Sequence, residues 1–228
     1  MKKVKVATVG LCALTMVGMG CSTKAGTGAL IGTGSGTAVG ALIGALAGNT
    51  AVGAAVGAAV GAGAGALIGK HMDKVAAETA AQVKNGKVEE VTDANGLKAV
   101  KVTFDNGILF PVGKYALQAA AKNELSKFSN VLKNNADLQV DIQGYASSDG
   151  SNEVNQVLSN NRANSVKAYL VNTCGVPSSQ IKSAQGFGET NLITNADGTE
   201  NVKASRRVEV YLYASQAMID KANAGKLN

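Results

Sequence analysis

No charged residue lies between Gly26 and Gly69, and no acidic residue precedes Asp73. An ion path or a proton-driven device in a bilayer needs ionisable groups inside the membrane, so the first third of the chain is poorly equipped for either. Histidine occurs once, at His71, with no ligand-type neighbour at a metal spacing, so no metal is expected. The chain has no His-Cys or Ser-His-Asp arrangement and no signalled pair of glycosidase carboxylates. An enzyme is therefore not expected, and neither is a cofactor. The formal charge is +6, but three lysines near the N-terminus contribute to it, and aromatic-interleaved basic runs are missing. Nucleic acid is therefore excluded as the expected partner.

What is present begins at the N-terminus. Lys2, Lys3 and Lys5 precede an apolar run from Val6 to Met19, which ends at Gly20-Cys21. A charged start, a run too short to span a bilayer and a small residue at the cleavage position make residues 1–20 a signal peptide. The cysteine directly after that small residue resembles the lipobox of bacterial lipoproteins, although Gly18 stands where that motif usually has Leu. The resemblance implies that Cys21 is the lipidation site and the mature N-terminus. Ser22 follows it, with no Asp there, which in such lipoproteins implies the outer membrane. Two or more acyl chains make attachment to membrane lipid long-lived. The alternative is a plain secretory signal with an incidental cysteine. Cys12 would leave with the signal, so Cys174 has no internal disulfide partner and reads as a small buried side chain.

Fourteen of the 28 glycines lie between Gly26 and Gly69. Gly28, Gly32, Gly36, Gly40, Gly44 and Gly48 are spaced by four, and Gly53, Gly57, Gly61, Gly65 and Gly69 repeat that spacing after Asn49-Thr50. Four residues is close to one helical turn, so each set forms a bare ridge on one helix face that a second backbone can approach. Each half would be about 30 Å long as a helix, near the thickness of a bilayer core. The pattern, which resembles the glycine-zipper region of envelope lipoproteins, predicts a helical hairpin in or on a membrane, with helix continuing to about Lys84. A flexible Gly/Ala linker is the alternative. The ridges also leave room for homo-oligomers.

Beyond Asn85-Gly86 the sequence is that of an ordinary soluble domain. Val88 to Val91 and Leu97 to Phe104 read as strands around the hairpin signal Asn95-Gly96. Leu117, Ala121, Leu125, Phe128 and Leu132 follow helical spacing, and a second helix is expected from about Asn152 to Asn172. Leu138, Val140 and Ile142 alternate with polar residues, as do Val208, Val210 and Leu212, and Ile181 to Gly186 reads as a further strand. The expected class is α+β, with helices layered on a sheet in the order β-α-β-α-β-β.

Four separated stretches then resemble the OmpA-like peptidoglycan-binding family, over roughly residues 100 to 213. They are Gly144-Tyr145-Ala146-Ser147-Ser148-Asp149-Gly150, Asn155 to Ala163 followed by Val166, Gly186-Phe187-Gly188-Glu189, and Ser205-Arg206-Arg207-Val208-Glu209. The resemblance implies non-covalent binding of peptidoglycan through the diaminopimelate of its stem peptide. Arg162 would hold a ligand carboxylate, since a planar guanidinium suits bidentate carboxylate binding and stays charged. The family's Asp, the usual acceptor for the ligand, is Ser147 here, and Asp149 is the nearest carboxylate. Tyr145 replaces the usual His and Ala146 the Thr. Asn155, Arg206 and Arg207 are secondary candidates, with Arg207 open to a structural role.

The expected organisation is a signal peptide (1–20), a lipid anchor and glycine-zipper helical region (21–84), an OmpA-like domain (85–215) and a C-terminal tail (216–228). The expected function is an outer-membrane lipoprotein, its C-terminal domain in the periplasm, tethering the membrane to peptidoglycan. The alternative is a zipper that inserts in the membrane or oligomerises, with the OmpA-like domain serving only as an anchor.

Overall fold

The computed structural model describes residues 60–227; the signal segment, Cys21 and the zipper up to residue 59 lie outside the described residues. The chain runs through α1 (Ala62–Gln82), β1 (Gly86–Thr92), β2 (Lys98–Asp105), the single turn α2 (Asn106–Leu109), α3 (Ala119–Asn134), β3 (Leu138–Tyr145) and α4 (Asn152–Ala168). A wider helical turn (Tyr169–Thr173) extends α4, and β4 (Ile181–Gly186), α5 (Val202–Ser205), β5 (Arg207–Ala214) and α6 (Gln216–Asn223) complete it. The five strands form one sheet in the order β1-β2-β5-β3-β4, antiparallel except for the parallel β3–β4 pair. The α+β class read from the sequence is the observed one.

Alternation sets the two faces of the sheet. Val208, Val210 and Leu212 of β5 join Val140 and Ile142 of β3 in the main core, beneath Leu125, Phe128 and Leu132 of α3. The intervening residues of the same strands, among them Asp141, Gln143, Tyr145, Arg207, Glu209, Tyr211 and Tyr213, occupy the other face.

Two helices outside the motif-bearing stretch also build the core. On α1, Ala64, Ile68, Met72, Val75 and Thr79 recur at helical spacing and are buried, the four apolar ones in the core cluster. The Glu78 carboxylate accepts from the Asn135 amide at 3.1 Å, and the Lys84 backbone N–H donates to Glu124 at 2.9 Å, tying the end of α1 to α3. The segment read as a C-terminal tail carries α6, with Met218, Ile219 and Ala222 buried; the Gly61 N–H donates to Asn223 Oδ1 at 3.2 Å. The last part of the zipper, Ala62 to Gly69, thus belongs to a helix packed on the sheet. Its glycine ridge is uncovered, since a Cβ at Gly65 or Gly69 would meet nothing within 4 Å. Among the described residues no helix is long and apolar enough to cross a membrane.

One buried acid gives the domain a pH dependence. Asp141 accepts from Tyr213 Oη at 3.3 Å, and burial pushes its carboxyl from 3.8 up to about 6, against the weaker opposing pull of that bond and of Lys182. The folded state thus holds the proton more tightly than the unfolded chain. The associated stability is full below the unfolded value and is lost as pH rises through about 6. Asp141→Asn is expected to raise the melting temperature at pH 7.5, by up to about 3 kcal/mol in stability, and to change little near pH 3.5. Thermal melts at the two pH values check this.

Candidate functional site

The site is assembled by the close approach of α4 to the β3–β4 pair. A Cβ on Gly144 would lie 2.2 Å from the Ser159 carbonyl oxygen, and one on Gly186 would lie 2.1 Å from the Asn160 backbone nitrogen. Only glycine fits at both positions, which is the physical content of the first glycines of two of the motifs. The Gly186–Glu189 turn then clamps the helix. Gln156 Nε2 donates to the Gly186 carbonyl at 2.6 Å, the Gly188 N–H to Ser159 Oγ at 2.9 Å, and Asn155 Nδ2 to Glu189 Oε2 at 2.8 Å. Asn155 is 3% exposed, so its observed bond is to the turn.

The buried face of α4 carries Asn155, Ser159, Arg162, Ala163 and Val166. Leu158 lies only half-buried beside this face. Arg162 sits about three turns into α4 and is 1% exposed. Its Nε donates to the Lys114 carbonyl at 3.0 Å, and its Cζ lies 5.5 Å from the centre of the Phe110 ring. Nη1 is buried without any hydrogen-bond partner. Burial lowers the guanidinium to about 10, and the positive charge of Arg206 adds to the effect. Among the described residues no carboxylate contributes to offsetting this charge. A buried cation with an unsatisfied donor is costly, and an entering anion would relieve both penalties.

Arg206 links Arg162 to the loop after β3. It acts electrostatically on Arg162 and also on Glu200, whose carboxyl is lowered mainly by bonding to Ser148. Glu200 accepts from the Ser148 N–H at 3.3 Å and from its Oγ at 2.5 Å. Ser147, 3% exposed, donates its hydroxyl to Asp149 Oδ2 at 3.1 Å. Asp149 itself is exposed.

Tyr145 and Arg207 lie elsewhere. They are paired across β3 and β5 on the sheet face opposite the helices, and Arg207 Cζ stands 4.0 Å above the Tyr145 ring. Tyr145 Oη donates to Gln143 Oε1 at 2.7 Å, and Phe187 stacks on its ring at 5.6 Å. Arg207 is bound to Glu209 at 2.6 Å, and both are nearly buried. These contacts make the two residues a structural unit behind the sheet. Strand parity carried the missed signal: Val208 faces the helices, so Arg207, one step before it on β5, faces away. Glu200 lies outside all the motifs, and nothing in its sequence context marks it.

Residues 109–207 match the model of the OmpA family, and residues 31–76 match that of the glycine zipper. The protein named "Probable lipoprotein YiaD" of Escherichia coli is 34% identical over 111 residues, which cover 49% of this chain and 50% of that protein. "Outer membrane protein A" of Serratia marcescens is 35% identical over 109 residues, 46% of this chain and 30% of that protein. The chain thus spans half or less of the length of these relatives. A solved MotB-like protein from Desulfovibrio vulgaris superposes with a TM-score of 0.54 at 18% identity, over 66% of this chain and 99% of that one, and shows the shared fold.

Proposed function

We propose that this protein, which carries an OmpA-family domain behind a glycine-zipper segment, is an outer-membrane lipoprotein that holds the membrane to peptidoglycan by binding the diaminopimelate stem peptide. One observation carries the reading: Arg162 is buried, charged and short of a partner at Nη1. A ligand carboxylate would bind bidentately at the Nη1–Nη2 end of this guanidinium, with Nε still held by the Lys114 carbonyl. Arg206 would add a second positive charge at the mouth, and Asp149 would offer a carboxylate to the ligand's ammonium. Asn155, through Glu189, would hold α4 and the turn together, and Tyr145 with Arg207 would support the strand ends from behind. A relative named as a probable lipoprotein supports the anchor at Cys21, and the zipper would carry the remaining contact with lipid.

Competition tests the proposal. Protein bound to purified sacculi should be released by a soluble diaminopimelate tripeptide and not by the same peptide with lysine in that place. Undiminished retention in excess tripeptide would refute stem-peptide recognition. Mass spectrometry of the mature N-terminus should find acyl chains on Cys21, and an unmodified thiol there would refute the anchor.

A further inference from the structure

Tyr145, Tyr211 and Tyr213 are buried on the far face of the sheet, and Tyr169 donates its hydroxyl to the Lys122 carbonyl at 3.2 Å. Tyr115 alone of the tyrosines lies mostly in water, 53% exposed, on the loop between α2 and α3. That loop is not slack. The Lys114 N–H donates to the Pro111 carbonyl at 3.1 Å across a turn with Gly113 at φ +66°, and the Gln118 N–H donates to the Leu109 carbonyl at 3.0 Å. Gln118 Nε2 bonds the Gly107 carbonyl at 3.2 Å, and Arg162 Nε bonds the Lys114 carbonyl at 3.0 Å. This last carbonyl and the Tyr115 N–H belong to one planar peptide unit. The Tyr115 Cα therefore lies within about 6 Å of Arg162 Nε. Val112, on the same loop, is 81% exposed. A loop tied at four points thus holds two large apolar side chains in water beside a buried cation that lacks a partner at Nη1.

We infer that Tyr115 is a sugar-stacking residue: a pyranose ring of the wall's glycan strand lies on the Tyr115 ring while the attached peptide is held at Arg162. This rests on the stem-peptide reading above and extends that site from the peptide to the sugar. Two residues separate the diaminopimelate from its sugar, and two extended residues span about 7 Å, a distance that a tyrosine side chain matches. A pyranose offers a face of C–H groups for an aromatic ring and keeps its hydroxyls in water, which suits a ring with a polar tip. Tyrosine has only two torsions to fix, so the contact costs little freedom. Val112 adds an apolar neighbour for the sugar's acetyl methyl group.

Calorimetry on the full-length protein in detergent tests this with two ligands, the free diaminopimelate tripeptide and the same tripeptide joined to its disaccharide. Wild type should bind the second on the order of tenfold more tightly. Tyr115→Ala should erase that difference while the Kd for the free tripeptide stays unchanged, and Tyr115→Phe should keep it. Equal affinity of wild type for the two ligands overturns the inference and leaves the stem-peptide reading standing. So does a Tyr115→Ala variant whose affinities for both ligands fall together, because the residue would then act only through the loop that holds Arg162. Wild type that binds neither ligand overturns both.

Discussion

Arg162→Met should leave a folded protein that has lost its affinity for the stem peptide. Methionine keeps most of the side-chain volume against Phe110 and removes the buried charge, whose Nη1 has no hydrogen-bond partner among the described residues. An unpaired buried ion carries an uncompensated desolvation cost, which an apolar group of similar size removes. Unfolding in urea should therefore show no loss of stability. Binding should behave oppositely. A bidentate guanidinium–carboxylate contact in a desolvated site contributes about 2–3 kcal/mol, so the Kd measured by calorimetry should rise on the order of a hundredfold. Arg162→Lys should recover only part of this, because a single ammonium cannot reproduce the fork. If Arg162 were only a strut between α4 and the Lys114 carbonyl, the methionine variant would lose stability and binding together.

Gly186→Ala should do what Arg162→Met does not. The added Cβ would overlap the backbone of Asn160, with Cα at 2.5 Å and nitrogen at 2.1 Å, and backbone on a packed helix cannot step aside as a side-chain end can. The helix must lift off β4, losing the Gln156 and Ser159 bonds to the turn. The expected cost is about 3 kcal/mol or more. Arg162 rides on that helix, so binding should fall with stability, and the denaturation midpoint of this variant should drop sharply. Gly65→Ala, on the uncovered ridge of α1, should leave the domain intact or stabilise it by about 1 kcal/mol.

Much of the domain was legible because its signals are local. Alternation in Val208 to Leu212 gave the central strand, and the spacing of Ala121, Leu125, Phe128 and Leu132 gave α3. The structure extended the reading where small or sparse residues carry little pattern. Alanine and glycine at helical spacing look alike in a bilayer and against a sheet, so the sequence could not show that Ala64 and Ile68 belong to the domain core. Three buried apolar residues in the eight of α6 are too few to announce a helix without the partner they cover. At the site, the motifs drew attention to these stretches but did not reveal the contacts that hold them. Asn155 and Arg207 are held by Glu189 and Glu209, contacts between elements far apart or across a strand, which spacing does not reveal. Parity along β5 could have placed Arg207 on the face opposite Val208, since one step along a strand changes the face.

The most direct measurement is co-sedimentation of the purified protein with diaminopimelate-containing sacculi, wild type beside Arg162→Met, with folding of both confirmed by their urea midpoints. Wild type should pellet with the wall while the folded variant stays in the supernatant. Equal pelleting of both would mean that the wall is held by some other surface, and the role assigned to Arg162 would be wrong.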